Sequence, residues 1–199
     1  MAEQSALKGH FSEGELGLVG SNGPQVTLSE VMGMKLFQLS VFARQMKEFL
    51  KYSQTRFGIE TLPGTSNSER GKSCLFMRAE ATKFWVASRQ ELVTSLRAKT
   101  REYYPTDMTG SKTIVRVSGS SAAATLNRLC AVDLTAGKGA FLATGMHHVP
   151  VHIQCRSAEM FDLLIPRSFG LSILHSLFDI SQQFGVRVTA PATWTLPRL

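Results

Sequence analysis

Phe161-Asp162-Leu163-Leu164-Ile165-Pro166-Arg167-Ser168-Phe169 is the stretch whose reading decides the fold. Phe161 to Ile165 has strand character and stops at Pro166, which cannot donate to a ladder. A helix follows from about Ser168 to Phe184, with Leu171, Leu174, Leu177, Phe178 and Phe184 at helical spacing. Ile173 and Ile180 widen that stripe, so the helix is expected to be buried on more than one side, by its own domain or by a partner. Gly185 stops it, and Val186 to Val188 reads as a last short strand. A strand delivered into an amphipathic helix and returned to a strand points to an α+β fold.

The same grammar extends upstream. Lys112 to Ser118 alternates as a strand and breaks at Gly119; Ser120 or Ser121 caps a helix with the stripe Ala122, Leu126, Leu129 and Cys130. Gly145 to Cys155 is strand material interrupted by Pro150, which implies an edge or a bulge. Earlier, Lys35 to Phe42 alternates, and Ala43 to Phe57 carries the helical stripe Met46, Phe49, Leu50, Ser53 and Phe57, with Gly58 at the stop. Leu62 to Lys72 reads as a loop, and Ser73 to Arg78 and Lys83 to Ala87 as two strands. Ser88-Arg89-Gln90-Glu91 is a capping box for a helix that continues through Leu92, Val93 and Leu96 and ends at Tyr103-Tyr104-Pro105. The order βαββα thus occurs twice. It predicts two sheet-and-helix modules packed together, about 34–104 and 105–190, in one domain spanning 34–199. Residues 1–33, rich in Gly, Ser and Glu, are expected to form an extended N-terminal arm, either a flexible tail or a segment that orders on a partner.

Composition narrows the function. The 199 residues are 43% hydrophobic, enough for a core, and no run approaches the eighteen or so apolar residues of a membrane span. The first residues lack the basic and apolar blocks of a signal peptide, and three cysteines without a CxxC pattern suit a reducing compartment, so a cytoplasmic protein without membrane contact is expected. The net charge is +7, but the basic residues read as scattered. Their densest set, Arg97, Lys99 and Arg101, sits at a helix end, where it complements the dipole, and no nucleic-acid motif accompanies it.

The candidate chemical groups are weak. His148 and His152 share strand parity, but Cys155 does not, and no carboxylate lies near enough in sequence to complete a metal site. Cys130 lies on an apolar stripe at a helix C-terminus, which disfavours a thiolate. Ser118-Gly119-Ser120-Ser121 joins a strand to a helix without the spacing of a phosphate loop. Asp107 and Asp133 lie near element starts, where Asp commonly closes a turn. Arg167 opposes the dipole at a helix start and reads either as a partner contact or as a solvated surface residue. No catalytic, cofactor-binding or metal-ligating residue is assigned.

Five motifs in order carry a resemblance: Asp107-x-Thr109, Ser118-Gly119, Leu129-Cys130-x-x-Asp133-Leu134, His148-Val149-Pro150-Val151, and Leu163-Leu164-x-Pro166-Arg167-Ser168-Phe169. The chain resembles the gamma subunit of heterotetrameric sarcosine oxidase, within the aminomethyltransferase-like (glycine cleavage T-protein) superfamily. One departure is Ala131, where that family usually has Pro. The resemblance implies two ferredoxin-like modules forming a folate-binding-type domain used as packing material. It also implies alpha, beta and delta partner subunits, and a complex that demethylates sarcosine to glycine, yielding methylenetetrahydrofolate or formaldehyde and hydrogen peroxide, or else a related N-methyl amino acid dehydrogenase. FAD, FMN, NAD, zinc and tetrahydrofolate would all sit on those other subunits. Two alternatives stay open. A stand-alone folate-binding one-carbon module needs an accessible carboxylate, for which Asp107 is the candidate. A nucleic-acid-binding α+β domain needs positive charge clustered on one face.

Overall fold

The computed structural model describes residues 5–10, 12–18, 20–21, 23–89, 92–97 and 100–198. In chain order the elements are β1 (Gly14–Leu16), β2 (Val26–Met32), β3 (Lys35–Ser40), α1 (Met46–Phe57), β4 (Ser68–Arg70), β5 (Cys74–Glu80), β6 (Lys83–Ser88), α2 (Val93–Arg97), β7 (Tyr104–Asp107), β8 (Lys112–Ser118), α3 (Ala122–Leu126), β9 (Phe141–Met146), β10 (Val149–Ser157), β11 (Met160–Pro166), α4 (Gly170–Ser181), β12 (Val186–Val188) and β13 (Ala192–Thr193). They fall into two compact units. The smaller comprises Gly33–Gly110 with Thr195–Leu199, and the larger Met1–Met32 with Ser111–Trp194.

In the smaller unit five strands run in the order β4-β5-β6-β3-β7, every pairing antiparallel. β5 follows β3 through α1 but lies two places away, with β6 between them, which is the split β-α-β arrangement. Alternation sets the inner face: Phe37, Leu39, Phe76, Phe84 and Val86 meet Phe49 and Phe57 of α1. The Phe49 ring lies 5.3 Å from Phe84 and 6.3 Å from Phe76. Gly58 ends α1 at φ +67°, its amide donating to the Ser53 and Gln54 carbonyls. Two strands were not legible: β4, inside the expected loop, and β7. The helix expected to end at Tyr103-Tyr104-Pro105 is described only over Val93–Arg97: Tyr103 is buried, its hydroxyl donates to the Ser95 carbonyl at 3.2 Å, and the next residues pair with β3. Two members of the expected capping box, Gln90 and Glu91, lie outside the described residues.

The larger unit has the order β1-β12-β2-β8-β11-β10-β9, with β13 joining the end of β2. β8, α3, β10, β11, α4 and β12 follow the same split pattern, with one strand more. β2 lies between β8, to which it is antiparallel, and β12, to which it is parallel. The expectation of an arm over residues 1–33 is corrected here. Val26, Leu28 and Val31 are buried, because two ladders and an alternating apolar face outweigh the Gly and Ser content that precedes them. The modules are also not simply sequential: the second borrows β2 from before the first, and the break falls at Gly110–Ser111.

Residues further upstream lie on the larger unit too. The Ser5 hydroxyl and the Ala6 amide (3.2 Å) donate to the Glu30 carboxylate, and Leu7 enters the core. β1 pairs with β12, and the Leu18 amide donates to the Gln182 carbonyl at 2.8 Å. The core gathers Val115, Val117, Phe161, Leu163, Ile153 and Cys155 against Ala122, Leu126, Ile173, Leu174 and Leu177. α4 therefore meets the sheet on one side. Leu7 of the N-terminal segment joins Leu174 of α4 in this core, and His10, Ser12 and Leu16 line an open hollow together with Phe178.

Two turns hold this sheet in place. Gly119, at φ +115°, lets the Gln25 carbonyl pass where a Cβ would stand 2.3 Å from its oxygen. The Ser121 hydroxyl donates to the Gln25 side chain at 2.6 Å and does not cap α3, contrary to expectation. β9 and β10 form a hairpin whose two-residue turn is His147-His148, at φ +47° and +65°. Both central residues left-handed is the twist-matched hairpin geometry, which Asn-Gly usually supplies. The expectation that His148 shares a strand face with His152 is thereby corrected, because His148 sits in the turn. Pro150 lies beyond the reach of β11, so it interrupts no ladder there.

Gly119→Ala is expected to cost about 2–4 kcal/mol in chemical denaturation, from left-handed strain plus overlap with backbone. Gly145→Ala, with open space around its position, should shift stability by less than about 1 kcal/mol.

Candidate functional site

The alternation that turns Val115, Val117, Phe161 and Leu163 toward the helices turns Arg116 and Asp162 to the other face of the larger sheet. Register places Arg116 opposite Asp162, and Asp162 opposite Gln154. Arg116 grips the carboxylate with both ends of its fork, Nε to Oδ1 at 2.7 Å and Nη2 to Oδ2 at 2.9 Å. Arg156 adds Nη1 to Oδ2 at 2.9 Å. The side chains are 4% (Asp162), 14% (Arg116) and 9% (Arg156) exposed, so three charges share a dry site. Burial pulls the Arg156 guanidinium below its usual range; Asp162 opposes that shift and Arg116 adds to it. Chemically this is a lock. Both oxygens of the Asp162 carboxylate accept from guanidinium groups. The lock forbids register slips, since a one-residue shift would turn an ionised group into the apolar layer.

The residues singled out from the sequence are dispersed. In the smaller unit, exposed Asp107 accepts from Arg97 (2.5 Å to Nη2) and from the Thr109 amide (2.9 Å). Burial pushes its carboxyl up, but Arg97 and Thr109 outweigh that and hold it below its ordinary value. The accessible carboxylate that folate chemistry would need is thus engaged in closing a turn. Asp133 in the larger unit caps a short 3-10 turn, accepting from the Thr135 hydroxyl (2.6 Å) and amide (2.8 Å), which lower its pKa. Arg167 opens a 3-10 turn before α4, half-buried, its amide donating to the Ser111 carbonyl at 3.0 Å. His152 stacks on Phe141 at 5.1 Å, while His147 and His148 sit in the hairpin turn. Among the described residues no three His, Cys, Asp or Glu side chains converge as a metal site would require.

All three cysteines are free and buried. Burial pushes the Cys74 thiol up to about 12 and Cys155 up to about 11, and raises Cys130, whose Sγ lies 3.2 Å from the Leu126 carbonyl. A cavity of about 360 Å³ in the larger unit is lined by Leu7, Lys8, Glu13, Leu28, Glu30 and Leu174, with other residues of the same segments. The Arg116–Asp162–Arg156 cluster escaped the sequence reading. Its signal was a lone acid inside an apolar strand and a lone Arg among valines, each of which demands a partner when buried. No described helix is long and apolar enough to cross a membrane.

No family model matches the chain, and no curated protein matches it either. Solved structures do. The chain is similar to one in the heterotetrameric sarcosine oxidase from Corynebacterium sp. U-96 in complex with pyrrole 2-carboxylate. The TM-score is 0.71 at 20% identity, over 81% of this chain and 87% of that one. It is also similar to the glycine cleavage system aminomethyltransferase T from Bartonella henselae, with TM-score 0.59 and 12% identity over 88% of this chain. It spans 53% of that enzyme's chain. At these identities the likeness is one of fold: a mixed α+β fold with two sheets, shared with the proteins that the five sequence motifs resemble.

Asp162→Asn should cost about 3–5 kcal/mol in denaturant unfolding, because two guanidiniums lose their counter-ion in a dry site. Glu15→Gln, which breaks the half-exposed Glu15–Arg187 pair, should cost under about 1 kcal/mol. A second expectation concerns the thiols. Their folded pKa lies above the ordinary 9.0, so their contribution to stability is complete below pH 9 and lost as pH climbs toward 11 and 12. Native protein at pH 8 should therefore resist a thiol-alkylating reagent, and unfolded protein should take up three equivalents by mass spectrometry.

Proposed function

We propose that this chain is a structural, non-catalytic subunit of a heteromeric amine-oxidising complex of the sarcosine oxidase type, in the position of the gamma subunit. The observation that carries this reading is the likeness at TM-score 0.71 covering 87% of a chain of a heterotetrameric sarcosine oxidase. It is a match to nearly a whole subunit. The state of the polar groups supports it. Asp107 and Asp162 are held by guanidiniums, and the thiols are buried. In this reading the two units are ferredoxin-like modules used for packing. FAD, FMN, NAD, zinc and tetrahydrofolate belong to the alpha, beta and delta partners, and those partners oxidise sarcosine to glycine in the cytoplasm. Arg167, beside the 46%-exposed Phe169, is assigned as a partner contact.

The test is isolation of the tagged chain from its native host, with mass spectrometry and an absorption spectrum of the eluate. A stoichiometric complex with two larger chains and one small chain, carrying a flavin absorption band, is the expected result. A solitary, colourless chain would overturn the reading. Calorimetric binding of tetrahydrofolate to that solitary chain would replace it with the one-carbon module.

A further inference from the structure

The division into units exposes a segregation of charge that the linear sequence hides. Residues 33–110 and 195–199 contain fourteen Lys and Arg against seven Asp and Glu, which is the whole net +7. The remaining residues contain eight of each and are neutral. On the basic unit, at the end of the sheet where Ser40 pairs with Tyr104, two large rings stand in solvent. Phe42 is 51% and Tyr104 58% exposed, and they meet edge to face at 5.6 Å. The Arg44 guanidinium lies 5.5 Å from the Phe42 ring centre. Gln45 donates to the Arg101 carbonyl at 3.0 Å, which brings Arg101, exposed like Arg44, to the same edge. Glu102, half-buried, is the acid of that segment.

We infer that Phe42 and Tyr104, flanked by Arg44 and Arg101, form the docking knob for an acidic protein surface: an apolar socket rimmed by carboxylates. Exposed aromatics cost free energy in water, and Tyr and Arg are the side chains that dominate protein interfaces when desolvated. Charge complementarity selects the partner, because a unit of net +7 attracts an acidic surface and repels a basic one. The geometry disfavours nucleic acid. The Arg44 guanidinium lies over the Phe42 ring and the two rings pack edge to face at 81°, which leaves less open ring face for a stacked base. The inference deepens the subunit reading and rests on it.

The test places a photo-crosslinking benzoylphenylalanine at Phe42 in the full-length chain and isolates the complex from the native host before and after irradiation. The double variant Arg44→Glu/Arg101→Glu, which leaves both cores untouched, is measured in parallel by reassembly with the purified partner. A cross-link to an acidic segment of an identified partner, with reassembly weakened at least tenfold by charge reversal, is the expected result. An intact complex with no cross-link, or with affinity unchanged by the reversal, would overturn the knob while leaving the subunit reading standing. Absence of any stoichiometric partner would remove both. A cross-link to nucleic acid would also overturn the inference.

Discussion

β2 is the constraint on which the larger unit rests. It lies between β8 and β12, and through β12 it carries β1, while its own end carries β13. Without it, a β8-to-β12 pairing would have to close the split pattern directly, and the N-terminal segment would have no Glu30 to bind. The seating of β2 is specified at both ends. At its start the Gln25 carbonyl fits over Gly119 and accepts from the Ser121 amide, and at its other end Glu30 receives the Ser5 hydroxyl and the Ala6 amide. Parallel pairing with β12 is intrinsically somewhat weaker than antiparallel pairing, so specific contacts of this kind matter more there.

The two faces of the larger sheet perform different tasks. The helix-side face is apolar and supplies burial energy, roughly 1.5–3 kcal/mol for each large side chain removed from water. Contacts of that kind exclude a one-residue slip but discriminate less between shifts of two residues, which keep each side chain on its face. The opposite face carries Arg116, Asp162 and Arg156, whose direct net contribution to stability is small because desolvation offsets attraction. Its contribution is selection. Only one alignment of β8, β10 and β11 lets the carboxylate accept from two guanidiniums.

Much of the architecture was legible. The strand at Lys112–Ser118 was read with its observed bounds, and α1 and α4 within a few residues, because their periodicities are uninterrupted. The alternation of Val26-Thr27-Leu28-Ser29 was present too, but a preceding run of glycines argued for an arm. Only the distant partners β8 and β12 decide otherwise. The β9–β10 hairpin was hidden because its turn is His147-His148 rather than a glycine-bearing pair. Asp162 lies just before the Leu163-Leu164-x-Pro166-Arg167-Ser168-Phe169 motif, with nothing but its apolar neighbours to mark it as a buried charge. A lone acid in an apolar strand is ambiguous until the opposing residue is known, and here that residue lies 46 positions away.

The placement of β2 has a consequence for the order in which the chain acquires structure. The polypeptide leaves the larger unit at Met32 and returns to it at Ser111. During synthesis, nearly the whole of the smaller unit emerges while β2 still lacks β8 and β12. The larger sheet cannot close until residues 186–188 have been made. The smaller unit is thus free to fold early from nearby contacts, whereas the larger must wait for pairings across about 160 residues, a separation that slows closure and lengthens the exposure of unpaired strand edges. A nascent chain of this kind keeps an edge of β2 unpaired until residues 186–188 emerge.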